Sequence, residues 1–274
     1  MTLITNDNAL RKYIPNAFST VKGEMPLFDK LAPWLATSEQ WLTEKICGEN
    51  TLAKIVALDD MNVVKMLASQ IVVSDALRRA IPSLDLVLTP NGFGIVSNTN
   101  VAPASKERVE RLIASLETNR DNSIEQLLTQ LWQIEAWRES EQFEWFTATI
   151  YPNLNLVTEC GFTEHRWDKY CELREQAIFI ERMIAEEYFS HELMNRLRSE
   201  LRHPFVNYPV VACIRWHVVN MIKGEKADHK TLFDTVNYIR EDPDSFPEWE
   251  KSETAKLFAP PVFINIKDAT GYWF

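Results

Sequence analysis

The 274-residue chain contains 29 Lys and Arg against 39 Asp and Glu, which gives a formal net charge of -10 at pH 7. This charge repels nucleic-acid backbones on average and argues against a general DNA-binding protein. With 46% hydrophobic and 25% charged residues, the composition is that of a folded globular protein rather than a disordered one. The length predicts two domains or one elongated domain.

Two features of the sequence predict where the protein is found. No run of 18 apolar residues occurs, and the first residues lack a basic region followed by an apolar core. We therefore expect a soluble, unsecreted protein without membrane contact. The four cysteines share no CxxC spacing, so we expect reduced, buried thiols.

Helical periodicity dominates the first half, which we assign to a module at residues 1–140. An apolar stripe between residues 27 and 46 predicts helical structure that stops at Gly48. Residues 61–80 predict a second helix, closed by Pro82. A hairpin follows at residues 84–97, and a long helix is predicted at residues 104–139. The polar run at residues 117–123 interrupts the stripe of that helix, which is compatible with two helices or with one helix that crosses solvent.

A second, larger helical module is predicted at residues 141–274. A long helix starts near Thr163, and we expect a break at Ser190, which could cap a separate segment. Further helices are predicted at residues 208–222 and 230–240. Residues 262–266 read as a C-terminal strand. The fold class is thus mostly α, with helical bundle modules and small β-hairpins.

The two halves resemble one another in order. Each has a long helix with Trp or Leu, then a compact apolar helix, and later a strand, a turn and a Gly–aromatic return. A duplicated helical module is one interpretation, although such patterns also recur by chance.

The residues that could perform chemistry do not form a recognised site. All five histidines lie in the second half, and Cys213 and His217 have the i,i+4 spacing of two ligands on one helix face. No second ligand pair completes a metal site, and no phosphate loop or nucleophile motif is present. We therefore predict no catalytic residues, no cofactor and no metal.

Aromatic residues at two places are candidates for an interface. Phe93 lies between Gly92 and Gly94 in the predicted hairpin, where it can fold back on the long helix or insert into an adjacent subunit. The C-terminal aromatics either pack on the chain's own sheet or dock on a neighbouring subunit. These C-terminal interface candidates are Tyr272, Trp273 and Phe274.

The run DLVLTPNGFGIVSN at residues 85–98, followed by VAPASKERV at residues 101–109, resembles an uncharacterised family common in gut bacteria, prophages and their phages. The order of elements in the first half is also similar to head–tail connector proteins of tailed phages. In those proteins an aromatic-rich helix, here residues 31–47, precedes an alanine-bearing apolar helix, here residues 61–80. The chain is about twice as long as simple connectors, so the second half would be a duplication or an addition.

The resemblance implies a structural, non-enzymatic function. The protein would be an adaptor subunit in a homo-oligomeric ring, bound to the portal and to tail or neck proteins in the virion, and present in the host cytoplasm during assembly. DNA would pass through the lumen without specific binding. Two alternatives are an accessory enzyme with a pocket in the histidine-containing half, and a regulatory scaffold that binds one partner.

Overall fold

The computed structural model describes residues 2–14, 25–84, 86–89, 92–95, 105–201 and 208–260, with the backbone alone for the strands at 86–89 and 92–95 and for Tyr208. These residues are mostly helical, which confirms the mostly α part of the predicted fold class. The α-helices are α1 (Asp7–Arg11), α2 (Leu27–Leu42), α3 (Glu49–Val56), α4 (Val63–Ala80), α5 (Lys106–Leu131), α6 (Glu135–Arg138), α7 (Glu141–Thr147), α8 (Asn155–Glu159), α9 (Arg166–Ile184), α10 (His191–Glu200), α11 (Tyr208–Ile222), α12 (His229–Glu241), α13 (Pro247–Glu250) and α14 (Glu253–Lys256).

Two short strands lie between α4 and α5. They are β1 (Leu86–Thr89) and β2 (Gly92–Ile95), which pair antiparallel with Leu88 opposite Phe93. The turn at residues 90–91 and the strand predicted at residues 262–266 lie outside the described residues. The predicted set of small β-hairpins therefore remains a prediction.

The helix predicted at residues 104–139 is shorter in the structure. Helix α5 ends at Leu131, the backbone is extended at Ile134, and α6 starts at Glu135. This turn brings the rings of Trp132 and Trp137 into an edge-to-face contact with centroids 5.6 Å apart. The chain therefore ends α5 at this turn, where the two indole rings pack together, and does not continue as one helix.

Contacts divide the chain into two compact units, Met1–Glu175 and Gln176–Phe274, so the first unit extends well beyond the boundary predicted after residue 140. The reason is an aromatic cluster. In α7, the Trp145 ring lies 5.8 Å from Tyr170, and the Phe146 ring stacks on Tyr170 with centroids 6.1 Å apart. These contacts attach the first half of α9 to the first unit.

Each unit has a buried helix at its centre. In the first unit, α4 packs against both α2 and α5. In the second, α11 carries the buried residues Val210, Ile214 and Val218 and packs against α12. No helix in the described ranges combines the length and apolar character needed to cross a membrane.

Candidate functional site

The predicted interface residues fall at the edge of the described chain. Gly92, Phe93 and Gly94 form most of strand β2, opposite Thr89, Leu88 and Val87. The Phe93 side chain and residues 272–274 lie outside the described residues. Their proposed interface role therefore remains a prediction.

The helical pair Cys213 and His217 lies inside the second unit, where backbone carbonyl oxygens engage the histidine ring. His217 is buried, and its Nδ1 lies 2.8 Å from the carbonyl oxygen of Cys213, whereas the Cys213 Sγ is 3.7 Å away. The other ring nitrogen, Nε2, lies 3.2 Å from the carbonyl oxygen of Asp228. A backbone carbonyl oxygen thus lies within hydrogen-bond distance of each ring nitrogen.

The buried thiols are poor nucleophiles. Burial raises the pKa of Cys47 to about 12. Burial, with a contribution from the Asp168 charge, raises the pKa of Cys171 to about 11. Because the thiolate is the reactive form, these two side chains are essentially unreactive at neutral pH.

The most specific local geometry in the first unit is a π-helical turn at the end of α2. Residues Thr43–Cys47 continue α2 as a π-helix, and the N–H of Gly48 donates to the carbonyl of Thr43 at 2.8 Å. Gly48 has φ 76° and ψ 157°, so the chain leaves the helix and α3 starts at once. The carbonyl of Ile46 accepts a 2.8 Å hydrogen bond from the buried indole N–H of Trp137. We call this arrangement the first latch.

A second latch with the same arrangement lies in the second unit. Residues Ala185–Phe189 continue α9 as a π-helix, and the N–H of Ser190 donates to the carbonyl of Ala185 at 2.8 Å. Ser190 has φ 63° and ψ 154°, and α10 follows. The carbonyl of Tyr188, the fourth residue of the turn, accepts a 2.7 Å hydrogen bond from the indole N–H of Trp249.

The helices around the two latches also correspond. The first π-helical turn contacts α3 and α7, and α3 contacts α6. The second turn contacts α10 and α14, and α10 contacts α13. We define the first module as α2 to α7, residues 27–147, and the second module as α9 to α14, residues 166–256.

The tryptophan of each latch belongs to the same short sequence signature. In the first signature, Ile134 lies three residues before Trp137, and Ser140 and Glu141 lie three and four residues after it. The second signature has the same spacing, 112 positions later, with Phe246, Trp249, Ser252 and Glu253. The hydroxyl of each serine donates to the carbonyl of its tryptophan at 2.6 Å and caps the next helix. This signature was the signal in the sequence that our prediction missed.

The first module contains a buried charged cluster, which we define as Ser38, Asp75, Glu117, Arg120 and Asp121. Arg120 is 2% exposed; it donates to Asp121 at 2.8 Å and to Asp75 at 3.2 Å. Ser38 donates to Asp75 at 2.8 Å, and Glu117 lies 3.5 Å from Arg120. Three of these residues belong to the polar run expected to interrupt α5; their pairing explains why the helix continues through it.

The ion pairs of the cluster outweigh the cost of burial. Burial raises the pKa of Asp75, but hydrogen bonds from Arg78, Ser38 and Arg79 hold it below its ordinary value. For Arg120, burial lowers the pKa, but the charges and hydrogen bonds of Asp121 and Asp75 raise it above its ordinary value. Both side chains are therefore charged in the folded protein at neutral pH.

At one edge, the cluster reaches the surface. His165, which precedes α9, places its Nδ1 2.8 Å from Oε2 of Glu117. Asp168 lies in the first turn of α9, and one ligand atom from each of the three residues lies within 4.8 Å of the other two. The imidazole and the two carboxylates thus form a compact group that could hold a metal ion.

A cavity of about 410 Å³ lies beside the first latch. Its lining combines the Trp145 and Trp167 rings with the charged groups of Glu44 and Lys45, both in the π-helical turn. Its size falls within the range of small-molecule pockets.

Residues 20–147 match the model of a family of unknown function, DUF6712. No curated protein and no solved structure matches the chain. The matched stretch is just under half of the 274 residues and ends with α7 at Thr147. Over its first helical module, the chain is thus similar to a family whose function is unknown.

Proposed function

We propose that the chain is an internal duplication of one helical module. The observation that carries this proposal is the repeated latch. π-Helices account for well under 1% of residues in globular proteins, so two such turns of equal length are already uncommon. Here each turn is followed by a residue at positive φ and receives an indole hydrogen bond on its fourth carbonyl. Independent origin would require each of these features twice.

The proposed duplication gives the chain two related surfaces. We propose that it serves as a non-enzymatic structural subunit of a ring, as its resemblance to head–tail connector proteins implies. A ring requires a head-to-tail interface between unlike faces of neighbouring subunits. Two copies of one module within a chain can supply such faces in a fixed order. The net charge of -10 suits a lumen through which DNA passes without being held.

The strands β1 and β2 lie between α4 and α5 of the first module. The corresponding helices of the second module, α11 and α12, are separated only by residues 223–228. Among the described residues, this insertion is thus present in the first module and absent between the matching helices of the second. We propose that it contacts the portal or a neighbouring subunit, with Phe93 as the anchor.

The test compares Phe93→Ala with the unchanged protein in phage particles. An aromatic anchor commonly costs about 2 kcal/mol or more of binding free energy when truncated. We expect Phe93→Ala to be lost from purified particles, measured by mass spectrometry, while its melting temperature is unchanged. Phe179→Ala, which removes a 64% exposed ring from α9, is the matched control and should be incorporated normally.

Two outcomes would contradict the proposal. Absence of the unchanged protein from purified particles would exclude the connector function. A fall of several degrees in the melting temperature of Phe93→Ala, with normal incorporation, would place Phe93 in the core instead of an interface.

A further inference from the structure

We propose that Glu117, His165 and Asp168 form a binding site for a divalent transition-metal ion. The site joins α5 to the start of α9, since Glu117 lies on α5 and Asp168 in the first turn of α9. One imidazole nitrogen and two carboxylate oxygens lie within 4.8 Å of one another. Two ligands about 2.0–2.2 Å from one tetrahedral zinc ion lie roughly 3.5 Å apart, so the three atoms can close around an ion by small side-chain movements.

Glu117 is the fixed member of the site. It is only 7% exposed, and its Oε1 lies 3.5 Å from Arg120 while its Oε2 faces His165 at 2.8 Å. The charge of Arg120 is met at shorter distances by Asp121 and Asp75. Glu117 is therefore the carboxylate that Arg120 pairs least closely, and a cation beside Oε2 would give it a nearer counter-charge.

The other two ligands can adjust around Glu117. The His165 side chain is 64% exposed, and Asp168 is also exposed. The present 2.8 Å separation of Nδ1 and Oε2 is that of a hydrogen-bonded pair, so the exposed imidazole must move outward by a few tenths of an ångström or more when a metal ion enters. Such a movement requires no change in the buried part of the site.

A comparison of the two modules, which rests on the proposed duplication, indicates that the fold of the module does not require this charged cluster. The residue 112 positions after Arg120 is Leu232, which is fully buried in α12. His229 occupies the position that matches Glu117, and its ring nitrogen lies 2.6 Å from the Tyr188 hydroxyl. The module thus folds with an apolar side chain where the first copy has a buried charge, so the charges of the first copy are free to serve binding.

The ligand set selects the class of metal. Imidazole nitrogen suits zinc, copper, iron and nickel, whereas magnesium and calcium prefer sites made of oxygen atoms. Three protein ligands leave a fourth position of a tetrahedral ion for water. We therefore expect zinc to bind in preference to magnesium or calcium, and to tie α5 to α9.

The experiment is a calorimetric titration of the metal-free, full-length protein with zinc chloride. We expect one zinc ion per chain, and binding at least about tenfold weaker in His165→Ala and in Asp168→Asn. Both side chains are exposed, and circular dichroism of each variant checks that folding is unaffected. His191→Ala is the control, because this exposed histidine lies 3.7 Å from Glu186 and belongs to no three-residue ligand group in the described ranges.

Unchanged zinc binding in both ligand variants would overturn the proposal, and so would the absence of binding by the unchanged protein. Stronger binding of calcium or magnesium than of zinc would contradict the assignment to a transition metal. This result is independent of the particle experiment. Weaker zinc binding in the ligand variants together with normal incorporation of Phe93→Ala would show that only the connector proposal has failed. Unchanged zinc binding in those variants together with lost incorporation of Phe93→Ala would show that only the metal site has failed.

Discussion

The two modules share a backbone arrangement but differ in the chemistry of their cores. Both have a π-helical turn whose fourth carbonyl accepts an indole hydrogen bond. In the first module, Ser38 and Arg120 belong to the buried charged cluster. The matching residues of the second module are Ile180 and Leu232. Ile180 follows Ser38 by 142 positions, the same interval that separates Thr43 and Ala185, the first residues of the two π-helical turns. Ile180 and Leu232 are both buried and apolar.

The comparison distinguishes the contacts that both modules need for their shared backbone from the contacts that differ between them. A buried ion pair costs desolvation free energy, and apolar residues of similar volume often replace one without loss of stability. The latch, by contrast, satisfies a carbonyl that the π-helical turn leaves without a helical partner. The common backbone therefore depends on the latch, and the charged cluster is particular to the first module.

The largest effect is expected for Arg120→Leu, which introduces the residue of the second module into the first. Without the guanidinium, the buried Asp121 and Glu117 lose the arginine they pair with, whereas Asp75 keeps Arg78 and Arg79. Removal of one partner from a buried ion pair costs about 3–5 kcal/mol. We expect the free energy of unfolding, measured by urea denaturation, to fall by that amount.

The control for this change is Arg111→Leu, also on α5. The Arg111 side chain is 74% exposed and pairs with Glu107 at 2.7 Å. A surface pair of this kind contributes at most about 1 kcal/mol. If Arg120→Leu were no more destabilising than Arg111→Leu, the buried charges of the cluster would contribute no more to stability than a surface ion pair.

A smaller effect is expected for Trp137→Phe and Trp249→Phe. Each change keeps an aromatic ring but removes the N–H that donates to Ile46 or Tyr188. An unsatisfied buried carbonyl costs about 1–3 kcal/mol. We expect both variants to lose this amount, with values that agree to about 1 kcal/mol if the latches are equivalent.

Trp216→Phe serves as the control for the tryptophan changes, because Trp216 is 49% exposed on α11. Its effect on the free energy of unfolding should lie within about 0.5 kcal/mol of zero. A large loss for one latch variant and none for the other would contradict the equivalence of the two modules.

Local patterns in the sequence predicted several helix ends, although not the end of α5 at Leu131. Helix α11 has the predicted bounds of Tyr208–Ile222, because an apolar run ends at Gly224, which adopts φ 85°. The stop at Gly48 and the break at Ser190 are also confirmed, and the Ser190 hydroxyl accepts from the N–H of Leu193 at 3.2 Å as a helix cap. Each of these signals is contained within a few residues.

The latches and the charged cluster could not be predicted in the same way, because their partners are distant in sequence. Ile46 meets Trp137 after 91 residues, and Asp75 meets Arg120 after 45. Five residues are too few for the 3.6-residue period of an α-helix to be distinguished in sequence from the wider turn of a π-helix. In the sequence, the polar run of α5 likewise resembles a solvent-exposed stretch, because Asp75, the counter-charge on α4, is distant in sequence.

The smallest predicted effect concerns the residue that ends each π-helical turn. Ser190 adopts φ 63° and ψ 154°, which lie in a region populated almost only by glycine. This backbone conformation costs about 1–3 kcal/mol for other residues. Ser190→Gly removes this strain, and loss of a serine cap to glycine costs only a few tenths of a kcal/mol. We expect this variant to be more stable by about 1 kcal/mol after the larger backbone entropy of unfolded glycine is included.

The reciprocal change, Gly48→Ser, should lower the free energy of unfolding by about 1–3 kcal/mol, because the first latch would then carry the same strain. A Cβ at this position would also lie 2.7 Å from Oε1 of Gln142, whose side chain must move. Ser252→Gly is the control for Ser190→Gly: Ser252 caps α14 at φ -80°, where glycine relieves no strain, so this variant should be destabilised. Stabilisation by Ser252→Gly as large as that by Ser190→Gly would rule out relief of backbone strain as the cause and remove this parallel between the two latches.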